Sequence, residues 1–199
     1  MNDMKIVYVD DDLDSNISRY LASEYKNDDF NIEYSEVHFE VSDGYDCLMS
    51  NASITSSNII IIDSKLFEND KAASGKFSGE EFKVILKKVF PFIEVIVVTQ
   101  NEIEEDYGTV SKYRAGTQET SEQYYNRCLK KTIDDAAKNV CVYRKLADKL
   151  KINEVIDKTL IEKILSSLDG VNQYDELTTK DIDSIIEAFK GLQENLDGK

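Results

Sequence analysis

Asp10 with Asp11, Asp63, Thr99 and Lys112 are polar residues that each end or closely follow an apolar run: Lys5 to Val9, Asn58 to Ile62, Val95 to Val98, and Thr109 to Ser111. Runs of this kind read as strands buried on both faces of a parallel sheet, whose carboxyl ends converge on one edge where ligands bind. An acid pair, a lone acid, a hydroxyl and a lysine would then share one pocket. Its carboxylates offer hard oxygen without histidine or thiolate, a donor set that suits Mg²⁺ or Mn²⁺. A cation there would relieve the repulsion that raises the pKa of crowded carboxylates. An aspartate beside it is a candidate nucleophile toward a phosphoryl group, with Lys112 supplying an ammonium and Thr99 a hydroxyl to the transferring oxygens.

The elements that must position these residues can be read along the chain. Lys5 to Val9 predicts a strand, and Asp14 to Glu24 a helix with Ile17, Leu21 and Ala22 at helical spacing. A second strand is expected within Asn31 to Val41, where Ile32, Tyr34, Val37 and Phe39 alternate with polar residues. Asp43-Gly44 breaks that pattern and opens a short helix through Tyr45, Leu48 and Met49. After Asn58 to Ile62 comes a charged segment, Ser64 to Ser78, and then a helix from Gly79 to Val89 with Phe82, Ile85 and Leu86 on its face. Pro91 separates this helix from the strand Glu94 to Val98. A weak strand at Thr109 to Lys112 leads to a helix starting near Ser121, whose apolar positions Tyr125, Cys128, Leu129, Ile133, Ala136 and Val140 run on toward Leu150. Strands alternating with helices predict an α/β fold, a doubly wound five-stranded parallel sheet with about five helices. Beyond it, Asn153 can cap a helix reaching Leu168 and Thr179 another containing Ile182, Ile185, Ile186 and Phe189. Residues 1–138 are expected to form the α/β domain and 139–199 an α-helical extension for output or oligomerisation.

With 199 residues, 41% of them hydrophobic, the chain can build one sizeable core. It has no apolar run near the roughly 18 residues of a membrane helix, and its start lacks the apolar stretch of a signal peptide. The expected location is the cytoplasm. Cys47, Cys128 and Cys141 are odd in number and widely spaced, which suits buried small hydrophobes in a reducing compartment. His38 is the only histidine, which excludes a multi-histidine metal site, and it reads as a surface or packed residue. A formal charge of −15 opposes direct nucleic-acid binding, since no basic patch is segregated along the chain. The last 59 residues hold 9 Lys or Arg against 12 Asp or Glu, which leaves −12 on the first 140.

Over roughly residues 1 to 138 the pattern resembles the receiver domain of two-component response regulators. The resemblance is carried by Asp10 and Asp11 after "KIVYV", Asp63 after "IIII", Thr99 after "VIVV", Lys112, and the stretch "VSDGYDCLM". It implies a flavodoxin-like, receiver-like fold and Mg²⁺ (or Mn²⁺) held by Asp10, Asp11 and Asp63. It further implies Asp63 as phosphoacceptor from a histidine kinase or phosphotransfer protein, Thr99 as switch hydroxyl and Lys112 as phosphoryl contact. A protein output partner is implied, with possible homodimerisation through the C-terminal helices. Such a chain is a phosphoacceptor and no enzyme toward outside substrates.

Several positions depart from the family pattern. "SKLFENDKAASGKFSGEEF" follows Asp63 in place of a Met-Pro and an early Asp-Gly, so that Gly79 reads as the displaced glycine behind an insertion. Gln100 stands where a small residue is usual, and Tyr113 where a proline follows the lysine. Only twelve residues separate Thr99 from Lys112, too few for a full helix with its flanking loops. These departures favour an alternative, a phosphorylation-independent pseudo-receiver. A haloacid-dehalogenase-type phosphatase, with Asp10 and Asp12 as its D-x-D, lacks the required later acidic strand end and leaves Asp63 without a role. An EF-hand starting at Asp10 fails because Ser15 and Leu21 stand where Gly and Glu are needed.

Overall fold

The computed structural model describes residues 2–40, 45–66, 78–101, 108–116, 118–152 and 158–168. Five strands, β1 (Asn2–Asp10), β2 (Phe30–His38), β3 (Ile59–Asp63), β4 (Glu94–Thr99) and β5 (Val110–Ser111), form one sheet in the order β2-β1-β3-β4-β5. Each pairing is parallel. This is the flavodoxin-like doubly wound order, whose topological switch lies between β1 and β3.

The alternation of residues along the strands sorts the core into two layers. Met4, Ile6 and Tyr8, Ile59 and Ile61, and Ile96 and Val98 face one side with Ile17, Tyr20, Tyr125, Leu129 and Ile133. Val7 and Val9, Ile60 and Ile62, and Val95 and Val97 face the other with Leu48, Ile54, Phe82, Leu86 and Phe90. The helices α1 (Ser15–Arg19), α5 (Ser121–Cys128) and α6 (Lys130–Lys151) thus supply the first layer. The second comes from α2 (Tyr45–Ser50), α3 (Ala52–Thr55) and α4 (Gly79–Val89). Burial on both faces is why the central strands read as unbroken apolar runs. It also explains the change of phase in β2, where Ile32 and Tyr34 pack on one layer and Val37 on the other.

Three helix details differ from the sequence reading, the first being that the helix expected from Ser121 toward Leu150 is two, α5 and α6, which meet at Leu129. After Arg19 the first helix widens into a π-helical turn, Tyr20–Glu24, closed by the Tyr25 N–H donating to the Tyr20 carbonyl at 2.7 Å. The wider turn rotates the buried face onto Tyr20, Leu21 and Tyr25 and leaves Ala22 exposed. In α4, Phe82 and Leu86 are buried as expected, whereas Ile85 is 36% exposed because it lies at the margin of the buried stripe. A capping box starts α4: the Ser78 hydroxyl accepts from the Glu81 N–H while the Glu81 carboxylate accepts from the Ser78 N–H.

Met1–Tyr143 and Arg144–Lys199 form two compact units. In the second, Ala147 and Leu150 of α6 and Ile161 and Ile164 of α7 (Lys158–Leu168) are buried. The Asp43-Gly44 turn, most of the Ser64 to Ser78 segment, Asn153 and the helix expected after Thr179 lie outside the described residues. No helix among the described residues is long and apolar enough to cross a membrane.

Candidate functional site

Asp10 is the last residue of β1, Asp63 of β3 and Thr99 of β4, and Lys112 directly follows β5. All four are buried, between 2% and 7% exposed. The Lys112 ammonium lies 2.7 Å from Asp10 Oδ2 and 2.7 Å from Asp63 Oδ1, so one cation bridges two carboxylates. Desolvation works against the charged ammonium, but Asp10 and Asp63 outweigh it and hold the Lys112 pKa above its ordinary value.

Asp63 accepts a second hydrogen bond at Oδ2 from the Lys65 N–H, at 2.7 Å. Burial pushes the Asp63 carboxyl above the usual carboxylate range; Lys112 and the Lys65 N–H pull down, and the charge of Asp10 adds to the rise. Asp11 is also raised, first by burial and then by the neighbouring Asp10, with a contribution from Asp63. Thr99 Oγ1 accepts from the Asn101 N–H at 3.1 Å, a bond that orients the hydroxyl at the strand end. A hydroxyl accepting in this way can still donate its own proton to a phosphoryl oxygen.

Asp10 has a third donor that was not legible as a site residue. The Tyr8 hydroxyl donates to Asp10 Oδ2 and accepts from the Asp14 N–H at 3.3 Å, while the Asp12 N–H reaches Asp10 Oδ1 at 3.1 Å. Burial, then the charge of Asp10, push the Tyr8 hydroxyl far above its ordinary pKa, so it serves as a donor. Its signal in the sequence is spacing alone: residues two apart on a strand share a face.

Backbone contacts fix the rest of the pocket. The Ser64 N–H donates to the Val98 carbonyl at 2.8 Å, and the Gly79 N–H to the Ser64 carbonyl at 2.7 Å. Gly79 comes so close that a Cβ there would lie 2.4 Å from the Asp63 carbonyl oxygen, which accounts for glycine at the start of α4. Next to it, Glu80 accepts from the Ser64 hydroxyl at 2.7 Å and from the Thr109 hydroxyl at 3.1 Å, joining the residue after Asp63 to the approach to β5.

β5 makes only two ladder pairs, Val98 with Val110 and Thr99 with Ser111. Tyrosines of α5 reinforce it: Tyr124 donates to the Ser111 carbonyl and the Tyr125 hydroxyl accepts from the Tyr113 N–H, each at 3.0 Å. Tyr113 therefore anchors the segment after Lys112 through hydrogen bonds where the receiver pattern has proline. The described residues contain no cis peptide bond. Gln100 is exposed, and its carbonyl accepts from Arg114. His38 is also exposed, 3.7 Å from Glu40, and the three cysteines are free thiols that, against expectation, are not fully buried: Cys47 is exposed and Cys128 and Cys141 are half-buried.

The structure therefore brings Asp10, Asp63 and Lys112 into contact and sets Thr99 on the same sheet edge, with Asp11 half-buried beside them. The all-oxygen donors and the repulsion that Asp10 exerts on both Asp11 and Asp63 fit a hard divalent cation. Among the described residues no three acidic, histidine or cysteine side chains are already gathered to hold one.

No protein-family model and no curated protein matches the sequence. Solved response regulators are structural neighbours of the chain. One is a two-component transcriptional regulator AraC from Clostridium phytofermentans ISDg, 14% identical, with 72% of this chain and 98% of that one covered at a TM-score of 0.41. RcsB from Salmonella enterica serovar Typhimurium, bound to promoter rprA in the presence of the phosphomimetic BeF3−, is 18% identical over 82% of this chain and 88% of its own, at 0.39. Another structure of the Salmonella typhimurium RcsB response regulator is 16% identical over 88% and 95%, at 0.40.

Proposed function

We propose that this chain is a signalling receiver in which Asp63 accepts a phosphoryl group and, once modified, changes the proteins the chain binds. The observation that carries the reading is the buried Asp10–Lys112–Asp63 bridge at the carboxyl edge of a parallel sheet, with Thr99 ending the strand between Asp63 and Lys112. A histidine kinase or phosphotransfer protein is the natural donor. The Asp63 carboxylate oxygen attacks phosphorus, a new P–O bond forms, and the P–N bond to the donor imidazole breaks, leaving that imidazole to take a proton. Lys112 turns its ammonium toward a phosphoryl oxygen, and Thr99 donates its hydroxyl to another. Mg²⁺ or Mn²⁺, held by Asp10, Asp11 and Asp63, would neutralise charge on the transferring oxygens. The chemistry is confined to this chain's own modification and its reversal.

The charge of −15 favours a protein output over direct contact with nucleic acid. We assign Arg144–Lys199 to that output or to self-association.

Acetyl phosphate and Mg²⁺ are expected to add one phosphate by intact mass, and Asp63→Asn to abolish it. The second reading, a pseudo-receiver, is favoured by the satisfaction of both Asp63 oxygens by Lys112 and Lys65 without a ligand. Absence of any adduct, with acetyl phosphate and with a cognate kinase, would establish it in place of the first.

A further inference from the structure

We propose that the Tyr8 hydroxyl sets the affinity of the acid pocket for its divalent cation by competing for Asp10. The inference rests on the receiver reading above, in which Asp10, Asp11 and Asp63 hold the metal.

Tyr8 is fully buried, and its ring is part of the core layer that includes Ile6 and Ile61. Because its oxygen already accepts from the Asp14 N–H, the hydroxyl is oriented to give its proton to Asp10 Oδ2. Asp14 in turn caps α1, accepting from the Asn16 and Ile17 N–H groups, so the Tyr8 hydroxyl has one partner at each end of the acid loop. Asp10 thus receives Tyr8 and Lys112 at Oδ2 and the Asp12 N–H at Oδ1. A carboxylate offers about four lone-pair sites, and each donated hydrogen bond withdraws electron density that a cation would otherwise use. Lys112 can turn to an incoming phosphoryl group and the Asp12 N–H is fixed by the backbone. Tyr8 is the neutral donor that remains on Oδ2. Phenylalanine would fill the same space and leave Lys112 as the one donor on Oδ2, freeing a lone pair of that oxygen for the cation.

Mn²⁺ titrated into the full chain, with free Mn²⁺ read by electron paramagnetic resonance and no phosphodonor present, tests this directly. Tyr8→Phe is expected to bind Mn²⁺ about tenfold more tightly, the scale of one charge-assisted hydrogen bond. A purely structural tyrosine would give equal or weaker binding, and either result overturns the proposal. Binding to neither protein removes the metal reading itself and the inference with it. Binding to wild type with no gain in Tyr8→Phe removes the inference alone. Should Tyr8→Phe not fold, the wild-type protein decides. Its Tyr8 hydroxyl proton, identified by proximity to the Asp14 amide, is expected to move upfield as Mg²⁺ saturates the site, and an unmoved resonance overturns the proposal.

Discussion

Lys112 does inside the protein what water does for an exposed acid. Two buried carboxylates depend on its single ammonium, so Lys112→Met leaves like charges facing each other without their counter-ion. The expected loss is ~3–5 kcal/mol at neutral pH, the cost of breaking a buried ion pair from one side. The pH dependence follows from Asp63, which is already raised by burial. A native carboxyl raised above its unfolded value favours folding in acid and loses that contribution as pH rises through the folded pKa. Lys112→Met removes the group that pulls Asp63 down, so its deficit should shrink as pH falls from neutral toward about 4, where unfolded aspartate begins to protonate. Urea unfolding at several pH values measures this; a deficit independent of pH would contradict it. Of these site residues, Asp10, Asp63, Thr99 and Lys112 were legible because strand ends announce themselves by a break in an apolar run. Tyr8 was not, since within "KIVYV" an aromatic reads as ordinary strand filling. The Ser64–Glu80–Thr109 contact was not legible either, because only the packing of α4 brings three distant polar residues together.

The helix that follows Asp63 is held against the strand end by an absence of side chain. Gly79→Ala places a methyl group 2.4 Å from the Asp63 carbonyl oxygen, and the three nearest atoms, from Asp63 and Ser64, are all backbone. Helix α4 must move away, at about 1–3 kcal/mol by analogy with other overpacked sites, and Glu80 moves with it. The urea midpoint should fall accordingly, and an unchanged midpoint would show that α4 can shift without cost. Most elements could be read from periodicity: Gly79 to Val89 matched α4, and runs of Ile and Val marked β3 and β4 because both faces are covered. The π-helical turn escaped because one wider turn changes the period within a single helix. β5 was the weakest strand in the sequence and is two residues long, too short for a side-chain pattern to register.

Both apolar layers of the sheet draw their buried residues from Met4 to Val140, within the first compact unit. A chain ending at Tyr143 is therefore expected to fold alone with one cooperative urea transition by circular dichroism. A broad, non-cooperative transition would show that the second unit is needed for the core. Its excess negative charge is a cost borne across the entire molecule, and the pocket concentrates part of it where one lysine can answer it. The brevity of β5 has a further implication for how such a chain can change over time. Beyond two ladder pairs, the Lys112 N–H on the Thr99 carbonyl and two tyrosine hydroxyls, that edge is tied to β1 and β3 through the Lys112 side chain, so discarding its acidic partners would also loosen the sheet. Selection for stability alone would therefore keep Asp10, Asp63 and Lys112. The survival of these residues in a lineage records the upkeep of a fold as readily as the use of a phosphate.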